Sequence, residues 1–280
     1  MNAFNEADWY ALERSVKDSN VIPIIGPDAL VVHYKDQTIP FYRLVSTDLL
    51  QSFGLEPNAE ILNNTWTLHK AVSAILAEKP GSEQRIRREV SRLIAYLIEN
   101  SRPTESLRVL ATMRAFKLYV SLTPDNLLER IMQESNPPAT IITRSYFHRD
   151  ASETRSDLIL NSNERGIFQI FGSCMQVGNG FALHEEDTLE NLYKLQTDGT
   201  RRFAPVLSEL RRRDKLFINC NFPDWLGRAM LRLINDERFN AKLTNDFLCP
   251  HADDAALNAF LTQYSPTTLG LEGKTDELVE

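Results

Sequence analysis

Several residues that could perform chemistry directly follow apolar runs of this chain. Gly26 and Asp28 follow the first run, and a glycine turn after a strand exposes backbone N–H groups that can bind a pyrophosphate. Thr123 and Asp125 follow a second run, and Asp224 precedes an apolar pattern of helical spacing. Ligands of open α/β sheets bind beyond the carboxyl ends of the strands, so these residues are candidates for one nucleotide cleft. A tight turn would equally explain Gly26, and a helix N-cap would explain Asp224.

Among the five histidines, His184 is the one that is followed by a cluster of acidic residues. It ends the apolar run Phe181–Leu183 and precedes Glu185, Glu186 and Asp187. Such a cluster of carboxylates would raise the pKa of the imidazole and could orient it as a base. The other interpretation is a helix start, where acidic residues are favoured by the helix dipole. The remaining histidines have no partner pattern, and each is expected to be a surface histidine or a satisfied structural one; they are His33, His69, His148 and His251.

Composition and cysteine usage exclude several classes of protein. The chain has 280 residues, of which 42% are hydrophobic and 25% are charged, as in globular proteins. A net charge of −7 argues against a general nucleic-acid binder. No apolar run approaches the roughly 20 residues of a membrane-spanning helix. The three cysteines, Cys174, Cys220 and Cys249, are too widely spaced for a disulfide framework or a zinc knuckle, so we expect no metal and a reducing cytoplasm.

Five short apolar runs have the composition of strands that are buried on both faces, as in a parallel sheet. They are Val21–Ile25, Lys117–Leu122, Ala139–Thr143, Gly166–Phe171 and Lys215–Cys220. Patterns of helical spacing accompany them, for example at Glu6–Lys17 and Trp225–Ile234. Strands that alternate with helices predict an α/β fold: a Rossmann-like parallel sheet with helices on both faces. Pro23 lies in the first run, where a proline is tolerated near the start of a strand or where its missing N–H faces no partner.

The region between the first two runs has a different pattern. Residues 56–114 carry apolar residues at helical spacing on both sides of the turn Lys79–Ser82. We therefore predict a helical insertion module at 56–114, beside a discontinuous core formed by 1–55 and 115–250. The chain from Phe247 onward is expected to be helical in parts, and 251–280 to form a C-terminal helical or linker segment. A longer parent protein could continue after it.

Five segments stand in a specific order: VIPIIGPDAL, YVSLTPDNLLERI, IFQIFGS, FALHEEDTLENL and KLFINCNFPDWLGRAMLRLI. Across roughly residues 15–240 this order resembles the SIR2-like (sirtuin-like) domain of bacterial antiviral defence proteins. That family has a strand before Gly-Ala-Gly, a strand before Thr-Thr-Asn-x-Asp, a His-Gly pair, an acidic helix start and a last loop aspartate. The resemblance implies a Rossmann-like NAD-binding fold and cleavage of the bond between nicotinamide and ribose.

The chain departs from the family pattern at the positions that carry chemistry. Gly26 matches the first loop glycine, but Asp28 replaces the second and would bring a carboxylate towards the pyrophosphate. Thr123 stands where the family has its catalytic asparagine, and Asp125 matches the family aspartate. A shift of two residues would instead place Asp125 at the asparagine position and would lose the match at Leu127-Leu128-Glu129.

The His-Gly pair of the family reads Phe171-Gly172 in this chain. In the family the histidine is the general base towards the ribose hydroxyls, and phenylalanine has no proton to exchange. Gly172 is retained, which indicates that the turn has been kept while the base has been lost. Asp224 matches the aspartate of the last loop.

These departures predict a non-catalytic SIR2-like domain with no cofactor or weak NAD binding, its vestigial cleft lined by Gly26, Asp28, Phe171, Gly172 and Asp224. We expect a scaffold, oligomerisation or sensing module of a bacterial defence protein, assembled as a homo-oligomer. The effector, for example a TIR domain, would lie elsewhere in a longer parent. The alternative is an NAD glycohydrolase that depletes NAD with rearranged residues, namely Thr123, Asp125, His184 and Asp224. An unrelated α/β nucleotide-binding protein is a third interpretation, and deacetylation is not expected without a zinc motif.

Overall fold

The computed structural model describes most of the chain. The described residues are 6–63, 65–135, 140–149, 160–161, 163–175, 180–197, 203–235, 238, 244–249, 255–265 and 267–270. Ala139, at the start of one predicted strand, lies outside them. So do His251 and the ends of the predicted C-terminal segment, 251–254 and 271–280.

A seven-stranded parallel sheet forms the centre of the protein. In spatial order its strands are β10 (Thr268–Gly270), β9 (Asp246–Cys249), β8 (Asp214–Ile218), β1 (Val21–Ile25), β5 (Leu118–Ser121), β7 (Glu164–Gln169) and β6 (Thr140–Ser145). Every neighbouring pair in this sheet is parallel. All five predicted strands belong to it, so the predicted α/β fold class is confirmed. Strands β9 and β10 are additional, and β9 begins just before Phe247, where a partly helical segment was expected.

Helices cover both faces of this sheet. They are α1 (Glu6–Lys17), α2 (Phe41–Ser52), α3 (Ala59–Leu62), α4 (Thr67–Glu78), α5 (Glu83–Asn100), α6 (Glu105–Thr112), α7 (Leu127–Gln133), α8 (Glu185–Thr197), α9 (Ala204–Arg212), α10 (Asp224–Asn235) and α11 (Ala255–Tyr264). Strand β1 shows the alternation that separates the two layers. Val21 and Ile25 pack with α1, α2 and α4–α7, whereas Ile22 and Ile24 pack with α8–α11.

The predicted helical region contains α3 to α6, and a small second sheet joins it to the core. Strand β2 (Val31–Tyr34) pairs antiparallel with β3 (Gln37–Pro40) and with β4 (Arg102–Pro103). Because β4 follows α5 directly, the end of the longest helix is fixed to the loop region after β1. Helix α2 packs against both α4 and α5, so the region shares its apolar core with the sheet.

The central strand β1 accommodates Pro23 because of the direction in which its missing donor points. Gly26 donates its N–H to the Ile218 carbonyl oxygen on β8 (2.9 Å). Successive residues of a strand alternate in direction, so the nitrogen of Pro23 faces β5 on the other side. The pairing of β1 with β5 begins only at Ile24. The proline therefore precedes the paired part of that edge and removes no ladder hydrogen bond there.

Candidate functional site

The candidate site is the crevice at the carboxyl edge of the sheet. Strands β1, β5, β7 and β8 all end there, and ligands of open α/β sheets bind at this edge. A small cavity lies in the crevice, and its lining includes Pro27, Tyr42, Trp66, His69, Thr123 and Phe171. Thr123 and Phe171 are thus placed in the crevice, as predicted. Tyr42, Trp66 and His69 come from α2 and from the start of α4, and sequence reasoning did not single them out for this site.

Trp66 fills the middle of the crevice. Its side chain is buried, and its ring lies between Phe171 and Phe222, each with a centroid distance of 6.2 Å. The indole N–H donates to the Cys220 carbonyl oxygen at 3.0 Å. The backbone of Trp66 is left-handed (φ 57°, ψ 43°), a conformation that costs a residue with a Cβ about 1–2 kcal/mol. The buried ring and its hydrogen bond hold the residue in this strained conformation.

The space that remains beside Trp66 is far too small for a dinucleotide. The cavity has a volume of about 20 Å³, which is enough for one water molecule. Small-molecule and cofactor sites have volumes of ~300–1,000 Å³. Among the described residues, the cavity that remains beside Trp66 therefore cannot hold NAD in this conformation.

Gly26 is required by a close approach of two protein segments. It follows β1 in an extended conformation (φ −85°, ψ 169°) and passes directly under the loop after β8. A Cβ atom at Gly26 would collide with the carbonyl oxygen of Asn219 and with the Cα atom of Cys220. Asn219 and Asn221 both adopt left-handed backbone conformations, which asparagine tolerates, so the loop folds tightly over the glycine. The glycine thus has a structural role in the position predicted for phosphate binding.

Asp28 faces the same loop. It lies in the short 3-10 turn Pro27–Ala29 and accepts a hydrogen bond from the Asn221 side-chain amide at 2.8 Å. Burial raises the pKa of Asp28 above its ordinary value, and the hydrogen bond from Asn221 opposes part of this rise. A half-buried carboxyl therefore lies at the position that the resemblance assigns to the second loop glycine.

Asp125 is buried and acts as a connector between α2, β7 and α7. Its Oδ2 atom accepts from the Tyr42 hydroxyl at 2.6 Å, and its Oδ1 atom accepts from the Leu127 N–H at 2.9 Å. The second bond satisfies a donor at the start of α7. The Asp125 carbonyl oxygen accepts from the Gln169 side chain at 2.6 Å. Burial raises the pKa of Tyr42 well above its ordinary value, and the charge of Asp125 raises it further.

Thr123 and Phe171 line the crevice with groups already engaged in packing. The Thr123 hydroxyl lies 2.9 Å from the Ser121 hydroxyl, inside the β5 turn. Phe171 is buried against Trp66. The next residue, Gly172, has φ +86° and bridges to Phe181, and a Cβ atom there would collide with the Gly180 carbonyl oxygen. The retained glycine therefore serves the turn after β7.

His184 directly precedes α8, and its ring accepts a hydrogen bond from the first turn of the helix. Its Nδ1 atom accepts from the Asp187 N–H at 3.4 Å, and the Asp187 carboxylate accepts from the Leu183 N–H at 3.1 Å. The buried carboxylate of Asp187 is also paired with Arg87 and with Arg149, both at 3.3 Å. Asp187, one of the three acidic residues that follow His184, thus anchors the start of α8 to α5. Asp224 has a similar position at the start of α10, where its carboxylate accepts from Arg228 at 2.6 Å.

His69 is a buried titratable group that lines the crevice. Its ring lies against Trp66 with a centroid distance of 5.0 Å. The pKa of His69 is lowered to about 3, chiefly by burial and also by the neighbouring His184, whereas Asp187 acts in the opposite direction. The imidazole is therefore neutral in the folded protein at neutral pH.

We expect His69 to make the protein sensitive to mild acid. Between pH 6.5 and about 3 the unfolded chain binds a proton at this histidine and the folded chain does not. The free energy of unfolding should therefore fall as the pH decreases from about 6.5, by up to about 1.4 kcal/mol per pH unit from this group. Urea unfolding at a series of pH values measures this slope, and His69→Gln should flatten it. The exposed His33→Gln is the matched control; equal slopes for both variants would contradict the assignment.

Comparisons with known proteins add no family assignment. No protein-family model matches the chain, and no curated protein matches it significantly.

Within the described residues there is no group of three or more His, Cys, Asp or Glu side chains arranged to hold a metal ion. No helix in the described part of the chain is both long and apolar enough to cross a membrane. The geometry of the crevice is thus the main basis for a functional proposal.

Proposed function

We propose that this chain is a non-catalytic SIR2-like domain that acts as a scaffold, oligomerisation or sensing module of a bacterial defence protein. The observation that carries the proposal is the position of Trp66. The indole occupies the crevice at the ends of β1, β5, β7 and β8 and leaves a cavity of about 20 Å³. A domain whose nucleotide crevice is filled by its own side chain acts through its surfaces rather than through NAD chemistry.

The residues at the family's chemical positions support this proposal. Phe171 offers no proton to exchange where a general base is needed. Asp125 is committed to Tyr42 and to the first turn of α7, so its carboxylate serves the fold. Asp28 places a half-buried carboxyl where a pyrophosphate would bind, and like charges repel strongly in a partly buried site. We therefore propose no resident cofactor, or weak NAD binding at most.

The defence role requires an effector, which we place outside the region 1–280. By the same resemblance, a TIR domain or another toxic enzyme would supply the activity that this domain lacks. The domain would then hold copies of the effector together or would detect the signal that releases it. We propose that the domain assembles as a homo-oligomer, which would bring copies of the effector together.

Release of nicotinamide from NAD tests the proposal. The purified chain is incubated with millimolar NAD, and nicotinamide is followed by chromatography. We expect no release above the level without protein, because the base is lacking and the crevice is closed. Release that is abolished by Asp125→Asn or by His184→Ala, and not by the exposed Leu189→Ala, would overturn the proposal in favour of an NAD glycohydrolase.

A further inference from the structure

A large apolar recess lies on the face of the sheet opposite to α8–α11, beside α1. It has a volume of about 580 Å³ and is bounded by α1, by α6 with the loop after it, and by β8. Its apolar lining includes Leu12, Leu110, Met113, Phe116, Leu216 and Ile218. The recess is much larger than the cavity beside Trp66, and the two share no lining residue.

The helix that bounds this recess also carries two exposed aromatic side chains. Trp9 is 39% exposed and Tyr10 is 64% exposed, and both lie at the edge of the recess. Aromatic side chains of this kind dominate the energetics of protein interfaces when they enter an apolar pocket. Helix α1 therefore carries exposed aromatic side chains and also forms part of a recess that could receive such side chains from a second molecule.

The charged side chains on this face of α1 are complementary to those of a second α1 helix that runs antiparallel to it. Glu6 and Lys17 both line the recess and are eleven residues apart, which is close to three helical turns, so they lie on one face. When two copies of α1 pair antiparallel about a two-fold axis, each Glu6 lies opposite the Lys17 of the other copy. Lys17 already lies 2.6 Å from Glu13 of its own helix, on an exposed surface. In the pair it would be held between two carboxylates.

We propose that α1 and the recess beside it form an isologous interface with a second copy of this chain. Each copy would insert Trp9 and Tyr10 into the recess of the other, and the Glu6–Lys17 pairs would set the antiparallel orientation. In an isologous interface the same patch serves both subunits, which agrees with a hollow and a projection on one helix. This inference deepens the proposed function, since it assigns the surface through which the domain associates.

Sedimentation of matched tyrosine variants tests the surface. We expect the wild-type chain to sediment as a dimer at micromolar concentration. Tyr10→Glu should weaken the dimer at least about tenfold, as a charge placed in a central apolar contact does. Tyr193→Glu, on the outer face of α8, is the control, because Tyr193 is also exposed, at 59%. Circular dichroism confirms that both variants remain folded.

Charge inversion tests the orientation. Glu6→Lys gives a helix face with a positive group at each end, and Lys17→Glu gives one with a negative group at each end. Each variant alone should dimerise more weakly than the wild type, and an equimolar mixture of the two should form a heterodimer. Weaker homodimers of both variants support the antiparallel pair, because a parallel pair would already set like charges opposite each other in the wild type. Recovery in the mixture shows that the loss is electrostatic. Failure of the mixture to associate, or a wild-type chain that is monomeric at high micromolar concentration, would overturn the antiparallel pair.

The result is separable from the test of the proposed function. If the chain dimerises but Tyr10→Glu and Tyr193→Glu behave alike, this surface is wrong while the scaffold role stands. If the chain releases nicotinamide and also dimerises through α1, the proposed lack of catalysis is wrong while the surface stands.

Discussion

Replacement of Trp66 by alanine should lower the free energy of unfolding by about 3–5 kcal/mol, the range for large aromatic residues in a core. The buried indole would be lost from between Phe171 and Phe222, and the Cys220 carbonyl oxygen would lose the N–H that it accepts. Alanine would also keep the left-handed backbone and its strain, because it too carries a Cβ atom. Unfolding in urea measures the change.

The same variant should acquire a ligand site that the wild type lacks. An apolar cavity left by a removed ring can bind a small aromatic molecule, so indole at millimolar concentration should raise the melting temperature of Trp66→Ala. Trp225→Ala, at a half-buried position on α10, is the control, with a smaller loss and no response to indole. A loss below about 1 kcal/mol at Trp66, or no response to indole, would contradict the account of the filled crevice.

Asp125→Ala should be the second most destabilising of the changes considered, with a loss of about 3 kcal/mol. The buried Tyr42 hydroxyl would lose its acceptor, which costs about 1–3 kcal/mol, and the start of α7 would lose the oxygen that accepts from the Leu127 N–H, which costs about 1 kcal/mol. Equilibrium unfolding again provides the measurement. The exposed carboxylate Glu186→Ala should change stability by less than about 0.5 kcal/mol.

A double-mutant cycle separates this structural role from simple loss of a side chain. Tyr42→Phe removes the hydroxyl that needs Asp125, so the double variant Tyr42→Phe with Asp125→Ala should lose less stability than the sum of the single variants. Strict additivity would show that the 2.6 Å hydrogen bond contributes nothing, and Asp125 would again be a candidate for catalysis.

The sheet could be predicted from the sequence because its central strands are continuous apolar runs, such as Val21–Ile25, that only a parallel sheet covered on both faces buries. Strands β9 and β10 escaped this reasoning, since they have only four and three residues and include Asp246 and Gly270. Their pairing depends on the neighbouring β8 edge, which is a tertiary effect. The antiparallel sheet of β2, β3 and β4 was also not predicted. Strand β4 has only two residues, and it forms through its pairing with β2.

The candidate site could be predicted in part. The loops after β1, β5, β7 and β8 were expected to meet at one edge, and Thr123 and Phe171 do lie in the crevice. Trp66 was not expected there, because it belongs to the region predicted as a separate helical insertion. The left-handed backbone of Trp66 could not be predicted from the sequence, because glycine and asparagine are the residues that indicate such a conformation. His69 was not expected there either; it lies in the crevice because it is in the first turn of α4, directly after Trp66.

Calorimetric titration of NAD into the wild-type chain tests the closed crevice most directly. We expect no heat of binding with NAD up to about 1 mM, since a cavity of about 20 Å³ holds no part of a dinucleotide. Trp66→Gly, which removes the indole and relieves the left-handed backbone, indicates whether that side chain sets the limit. A micromolar Kd for NAD in the wild-type chain would contradict the account, because Trp66 would then have to leave the crevice readily.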